Sequence, residues 1–418
     1  MTQISFTTRL KILLIDILVN LGALGSFLRT GARYILKRRG LLLLPIKPYQ
    51  SGSTELHVEL ASAVQSESIS PNLFKNHKTT IRTEAVFPPI MARNFKNAKI
   101  NCASCAITTE GNLLIPDYYH NNLARINSSG GNSYIINNQF GVIKKTNQKE
   151  IKKGIALTGL GSFNWYHWLI EILPSAMLAK KLGNNFLDYP YLVPAEYNKY
   201  QSFRDSLEIF RLEREVIPLL TTTQYKVDDL IIIDSPAHGP FNLYKNYWPK
   251  VSDYKQNASV LSEFRQEILD ALRIEKSNPK GMYFLARGNS RRNYNQEDLI
   301  GIAETLGLAI VYPEQLSFHD QVQLFHSAQM IVGASGGAWA NILFCQSGSY
   351  GLTWIFPEYK EFCVYSNLAM IVGLELSYLF IEAEQSIKNS VAAYSMPYRV
   401  DPDVFRYALS AMVKQVTI

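Results

Sequence analysis

The chain has 418 residues, 47% of them hydrophobic and 18% charged, a balance that excludes a disordered chain and supplies more than one hydrophobic core. Its formal charge of +7 is local: residues 1–50 hold eight of the 42 basic residues against one acid, Asp16, leaving 34 basic and 34 acidic residues for the rest. A neutral body excludes a broad phosphate-binding surface, so no nucleic-acid partner is expected, and four cysteines with a single C-x-x-C pair, Cys102 and Cys105, exclude a disulfide framework and argue against structural zinc.

The first element is apolar from Leu10 to Leu28, interrupted by Asp16 and Asn20. That length is close to the roughly 20 residues that span a bilayer, but an internal Asp is costly there. Arg9, Asp16 and Asn20 share one helical face, and five basic residues follow between Arg29 and Arg39. The pattern predicts an amphipathic, membrane-seeking helix within residues 1–45 that lies on anionic lipid. The basic flank argues against a cleaved leader. The expectation is a cytoplasmic body in peripheral contact with the inner face of the cell membrane.

Residues 45–80 are rich in Pro, Ser, Gly and Asn and read as an irregular lead-in, followed to about 150 by short β-like runs. From 153 the pattern alternates. Gly154–Thr158 reads as a strand, Gly159 to Ser162 as a turn, Asn164 to about Leu182 as a helix, Tyr191–Pro194 as a strand, Tyr200–Arg211 as a helix and Asp229–Asp234 as a strand. A polar, aromatic loop from Ser235 to Asn257 marks a domain boundary. Beyond it, helices 258–273, 296–306, 318–328 and 338–344 alternate with strands 281–286, 308–312, 329–333 and 351–356. A fifth helix, the run 376–381 and a terminal helix, about 402–416, complete the chain. Such alternation predicts parallel sheets covered on both faces. The expected organisation is α/β: a first Rossmann-like domain over 46–254, a second over 255–385, and a C-terminal segment, 386–418, crossing back to the first.

Ligands of open parallel sheets bind beyond the carboxyl ends of the strands. Three strand ends of the second domain carry suitable residues. Arg287, Arg291 and Arg292 follow the first strand, and guanidinium forks match phosphate oxygens. Glu314 follows the second and is a candidate for ribose hydroxyls, with Ser317 as the cap of the next helix and Asp320 at capping-box distance. Ser335, Gly336 and Gly337 follow the third and open a helix whose free N–H groups suit a phosphate. In the first domain His167 and Glu171 stand four apart on one helix face. Either is a candidate base for the hydroxyl of an acceptor, or a residue that binds it. No D-x-D pair falls at a strand end. That favours a metal-independent site in which Arg and helix dipole take a cation's place, and no cofactor is expected.

Four segments together resemble glycosyltransferase family 61. Asn164-Trp-Tyr-His167-Trp168-Leu-Ile-Glu171-Ile-Leu-Pro174 is similar to its N-x-x-H-W-x-x-E-x-x-P motif. Arg287 through Asn295 and Glu297 is similar to R-x-x-x-R-x-x-x-N-E, with Gln296 intervening. Pro313-Glu314-Gln-Leu-Ser317 through Gln321 is similar to P-E-x-L-S-x-x-E-Q. Val332 through Phe344, with Ser335, Gly336, Gly337 and Asn341, is similar to V-G-x-H-G-A-x-L-x-N-x-x-F. The resemblance covers about residues 150–350. It implies a GT-B architecture of two Rossmann-like domains facing a cleft, and inverting transfer from a nucleotide sugar, often a UDP-sugar, to a glycan acceptor. It also implies a role in capsular or exopolysaccharide synthesis. It puts Arg287, Arg291, Arg292, Asn295, Glu314, Ser317, Gln321, Ser335, Gly336, Gly337 and Asn341 at the donor, and Asn164 and Trp168 with His167 and Glu171 on the acceptor side. Ser335 departs from the family's usual His, which raises the alternative of a catalytically silent member that binds sugar nucleotide or glycan as a subunit of polysaccharide assembly.

Overall fold

A computed structural model of the protein describes residues 36–38, 40–52, 57–75, 80–244, 247–275, 278–288, 293–393 and 396–417. The expected membrane-seeking helix lies outside the described residues, as do Arg291 and Arg292. Among the described residues no helix is long and apolar enough to cross a membrane.

The chain builds a mixed α/β structure around two main sheets, of 11 and five strands. In the larger, four strands run parallel in the spatial order Val216–Leu219, Tyr191–Pro194, Asn147–Ala156, Thr223–Ile233. Chain order thus reverses between the third and fourth of these. Ile90–Ile100 then pairs antiparallel with Thr223–Ile233, and the sheet continues through shorter strands to Ser133–Ile135. Tyr191–Pro194 is buried throughout, as a central parallel strand must be when both faces are covered.

The five-stranded sheet is wholly parallel, in the order Ala309–Val311, Gly281–Leu285, Ala328–Gly333, Tyr350–Ile355, Glu375–Phe380. Here chain order reverses between Gly281–Leu285 and Ala328–Gly333. The helix Ala258–Ala271 that enters this sheet starts where the Asn257 side chain accepts from the Val260 N–H. It buries Val260, Leu261, Phe264 and Ile268 on one face, and fully burying each such side chain contributes roughly 1.5–3 kcal/mol. Ser317 caps the helix Phe318–Ser327 in the same way, accepting from the Asp320 N–H at 3.1 Å.

The lead-in is more regular than its composition suggests. His57–Ala61 pairs with Ile90–Ile100, and Val64–Ile69 forms a hairpin with Arg82–Phe87. The inward face of Val64–Ile69 carries Ser66 and Ser68, which hydrogen-bond to the backbone of Gln256 and Tyr254. Serines therefore stand where an apolar alternation would have announced a strand. The segment that follows pairs with the edge of the five-stranded sheet, through Phe74 N–H to Tyr378 O and Tyr378 N–H to Asn72 O, both 2.9 Å. The terminal helix Pro402–Thr417 packs Phe405 against Phe284 and Trp354 of that sheet, and Tyr407 meets Phe74 and Lys75.

One apolar cluster serves both sheets. It joins Ile155, Trp168 and Ile231 on one side to Phe264, Phe284 and Val332 on the other. Phe210 stacks on Phe264 with ring centroids 5.3 Å apart, and Trp165 meets Phe318 at 5.7 Å.

Candidate functional site

The strand Asn147–Ala156 ends at the point of reversal in the larger sheet and runs through a tight turn into His167. Gly161 takes φ +70° in that turn, and a Cβ there would lie 2.5 Å from the His167 ring and 2.6 Å from Phe241. Only glycine fits both the backbone and the contact. The helix that follows is a π-helix over His167–Ile172, closed by Leu173 N–H to Trp168 O at 2.8 Å. Pro174 begins the next helix. Having no N–H to offer, it suits the widened turn before it.

On this turn His167 Nδ1 and Glu171 Oε2 are 2.7 Å apart, with side chains 21% and 18% exposed. Asn164 holds the turn by accepting from the Tyr166 N–H at 2.9 Å. Trp168 points the other way. It is fully buried, stacked on Phe203, with its indole N–H donated to Ser206 Oγ at 3.0 Å.

Glu171 lines a cavity of about 770 Å³ at the carboxyl ends of Asn147–Ala156 and Thr223–Ile233. Its walls include Phe87, Tyr118, Tyr119 and His238. His238 lies between Phe87 and Tyr118, with centroids at 4.5 and 4.7 Å. Burial, with Lys255 nearby, lowers the His238 imidazole to about 3, so it is neutral at ordinary pH. Arg93 bridges two carboxylates in the lining: it pairs with Asp234, and its Nη2 stands 3.2 Å from Asp117. Burial lifts the Asp234 carboxyl above its usual range, and Arg93 opposes that lift.

The other reversal point, between Gly281–Leu285 and Ala328–Gly333, gathers a second set. Arg287 donates through Nη2 to the carbonyls of Ala334 and Ser335. The Gly288 N–H donates to Glu314 Oε1 at 2.7 Å. A Cβ on Gly336 would lie 2.4 Å from Arg287 Nη2, so the absence of a side chain is what lets the guanidinium cross the loop. Tyr365 OH donates to Gly336 O at 3.0 Å. The element after this loop is a 3-10 helix, Gly337–Phe344, rather than an α-helix.

The two sets touch. A Cβ on Gly337 would sit 3.4 Å from Asn164 Oδ1 and 3.5 Å from Trp165 Cβ. Trp165 Nε1–H donates to Asn341 Oδ1 at 2.9 Å, and Asn341 Nδ2–H donates to Gln321 Oε1 at 2.8 Å. Both amides are buried, and the Trp165–Asn341 bond ties the two halves together. Asn295 is tied to Val400, donating to its carbonyl and accepting from its N–H, both at 3.0 Å. Ser317 is the helix cap already described.

Of the residues expected at a site, Arg287, Glu314, Ser335, Gly336 and Gly337 therefore gather at one reversal point, and His167 and Glu171 stand beside the other. Asn164 bridges towards Gly337. Trp168, Gln321 and Asn341 are buried, and Asn295 serves the backbone at Val400. The cavity residues Arg93, Asp117, Tyr118, Asp234 and His238 carry no local motif, because strands distant in sequence bring them together. The apolar run ending at Asp234, beside a strand end, is the one signal pointing to them. Chemically, the set around Arg287 offers a guanidinium and glycine-edged backbone to a diphosphate, and the set around His167 and Glu171 offers a carboxylate beside an imidazole to a hydroxyl.

Residues 165–352 match the family described as Glycosyltransferase 61. Curated proteins similar to this chain include the EGF domain-specific O-linked N-acetylglucosamine transferases of Rattus norvegicus, Mus musculus and Bos taurus, each 26% identical over 196 residues. The alignments cover 43% of this chain, which spans 36% of the length of those relatives.

Proposed function

We propose that the protein moves a sugar from a nucleotide-sugar donor, a UDP-sugar in the first instance, to a glycan acceptor with inversion, a reading supported by the match of residues 165–352 to the family described as Glycosyltransferase 61. Arg287, Glu314 and the Ser335–Gly337 loop, gathered where strand order reverses in the five-stranded sheet, carry this reading, since that is where open parallel sheets take nucleotides. In this account the two sheets with their helices act as the paired Rossmann-like units of a GT-B enzyme. Arg287, with Arg291 and Arg292, binds the diphosphate and Glu314 the ribose. The likeness to N-acetylglucosamine transferases supports sugar transfer as the reaction.

The acceptor oxygen attacks the anomeric carbon as the bond from that carbon to the diphosphate oxygen breaks. The nucleoside diphosphate leaves with the bonding pair, and the acceptor proton goes to a base. Glu171 is that base, because it lines the cavity and its carboxylate is held by His167, whose Nδ1 lies 2.7 Å from Oε2. The basic segment ahead of the strand Leu41–Pro48, which pairs into the larger sheet, keeps the enzyme at the inner face of the cell membrane, where capsular or exopolysaccharide chains are extended.

The test is release of nucleoside diphosphate from a panel of sugar nucleotides by the full chain with glycan acceptors. Wild type releases one of them, and Glu171→Gln lowers the rate roughly 10²–10⁴-fold, the usual loss for an acid–base group. Ser335, in place of the family's usual His, favours a second reading as a silent subunit. Under that reading wild type releases nothing and Ser335→His gains turnover.

A further inference from the structure

We infer that the cavity beside Glu171 is a subsite for the terminal part of a neutral glycan and discriminates against acidic sugars. This rests on the reading above in one respect only, that the bound glycan is the acceptor. The cavity, about 770 Å³, falls in the range of roughly 300–1,000 Å³ typical of small-molecule sites. Four rings, those of Phe87, Tyr118, Tyr119 and His238, contribute to its walls. Tyr118 OH donates to Asp253 O at 2.6 Å and Tyr119 OH to Gly239 O at 3.4 Å. The Tyr118 hydroxyl is thus committed to backbone, and the ring faces that neighbouring rings leave uncovered are what a ligand meets. Ring surface suits the C–H faces of a pyranose, which bury apolar area without needing hydrogen-bond partners.

The polar part of the lining decides the charge of the ligand. Asp117, Glu171 and Asp234 are acceptors for hydroxyl donors, which a neutral sugar has in excess. The charge of Arg93 is shared between Asp117 and Asp234, which leaves Lys255 as the other full cation in the described lining. His238 adds no charge, since burial keeps it neutral. The three carboxylates outnumber Arg93 and Lys255 by one, so a sugar carboxylate entering here would add negative charge to a lining that already carries a net negative charge, an arrangement that disfavours it.

Saturation-transfer NMR on the full chain tests this with methyl β-glucoside, methyl β-N-acetylglucosaminide, methyl β-xyloside and methyl β-glucuronide, each with and without UDP. At least one neutral glycoside is expected to saturate, with the glucuronide about tenfold weaker, the equivalent of ~1.4 kcal/mol. Tyr118→Ala is expected to abolish the neutral signal. Because that change also removes the bond to Asp253, Asn121→Trp is the second variant: Asn121 is an exposed residue of the lining, and an indole there fills the space without touching the core. Both variants should keep the saturation of UDP itself. Glucuronide binding equal to the neutral sugars, no binding by any neutral glycoside, or an unchanged signal in Asn121→Trp would each overturn the assignment. Neutral glycoside binding in a chain that never saturates UDP would instead remove the donor reading and leave the subsite standing.

Discussion

Gly161 and His238 show how single positions set the chemistry here. At Gly161 a positive φ and a close approach coincide, so the imidazole of His167 rests against bare backbone. The sequence signalled this position, since Gly159-Leu-Gly161-Ser162 reads as a turn ahead of a helix. His238 gave no such signal, because a histidine in a polar loop resembles any surface residue until Phe87 and Tyr118 close on it. Its burial has a consequence for stability. The folded protein holds His238 neutral down to about 3, whereas the unfolded chain takes up a proton near the ordinary histidine value. Between those values the unfolded state binds more protons, so stability is fully present above the ordinary value and is lost as pH falls. His238→Phe should therefore lose less stability than wild type between about pH 7 and about pH 5 in urea unfolding. Equal losses in the two proteins would contradict the burial of this ring.

At the scale of elements, the five-stranded sheet was legible because each strand is a short apolar run bounded by turn residues and followed by a helix of 3.6-residue period. Gly281–Leu285, Ala328–Gly333 and Tyr350–Ile355 fall within a residue or two of the runs expected. Val64–Ile69 was not legible, because Ser66 and Ser68 replace apolar residues on its inner face and are satisfied by backbone from residues far along the chain. The helix after Asn164 was legible as a helix but not as a π-helix, since the 3.6-residue period does not reveal one widened turn. That turn carries Glu171, the base proposed above. Pro174 cannot donate to the carbonyls behind it, which favours the wide geometry that sets Glu171 toward the cavity. Pro174→Ala restores a donor and allows an ordinary α-turn. The expected result is turnover reduced about tenfold or more, as a misplaced catalytic group produces, with a melting temperature unchanged or higher. Full activity in this variant would show that the π-turn does not position Glu171.

Across the whole molecule, one apolar cluster is shared by the two sheets, and the two are expected to fold as one unit. Residues 258–417 leave Phe264 without Phe210, Phe318 without Trp165, and the edge of Glu375–Phe380 without its partner at 72–74. Expressed alone, this segment should lack a cooperative thermal transition in calorimetry, whereas the full chain should unfold in one. A sharp transition in the isolated segment would mean that the halves are independent. The polar loop 235–257 marks a boundary in the sequence, but a core assembled from both halves leaves no mark on the local pattern of either.

Whether the reversal point of the five-stranded sheet holds the nucleotide of the donor is decided at Arg287. The measurement is the melting temperature of the full chain and of Arg287→Ala, each with UDP, GDP, TDP and CMP, with and without a chelator. A ligand that binds the folded state alone raises the melting temperature, by about 2.7 kcal/mol of added stability at a hundredfold excess over Kd. The expected result is an upward shift of wild type with one nucleotide, UDP first, that the chelator leaves in place and Arg287→Ala abolishes. An equal shift in Arg287→Ala, or no shift of wild type with any of the four, would contradict it.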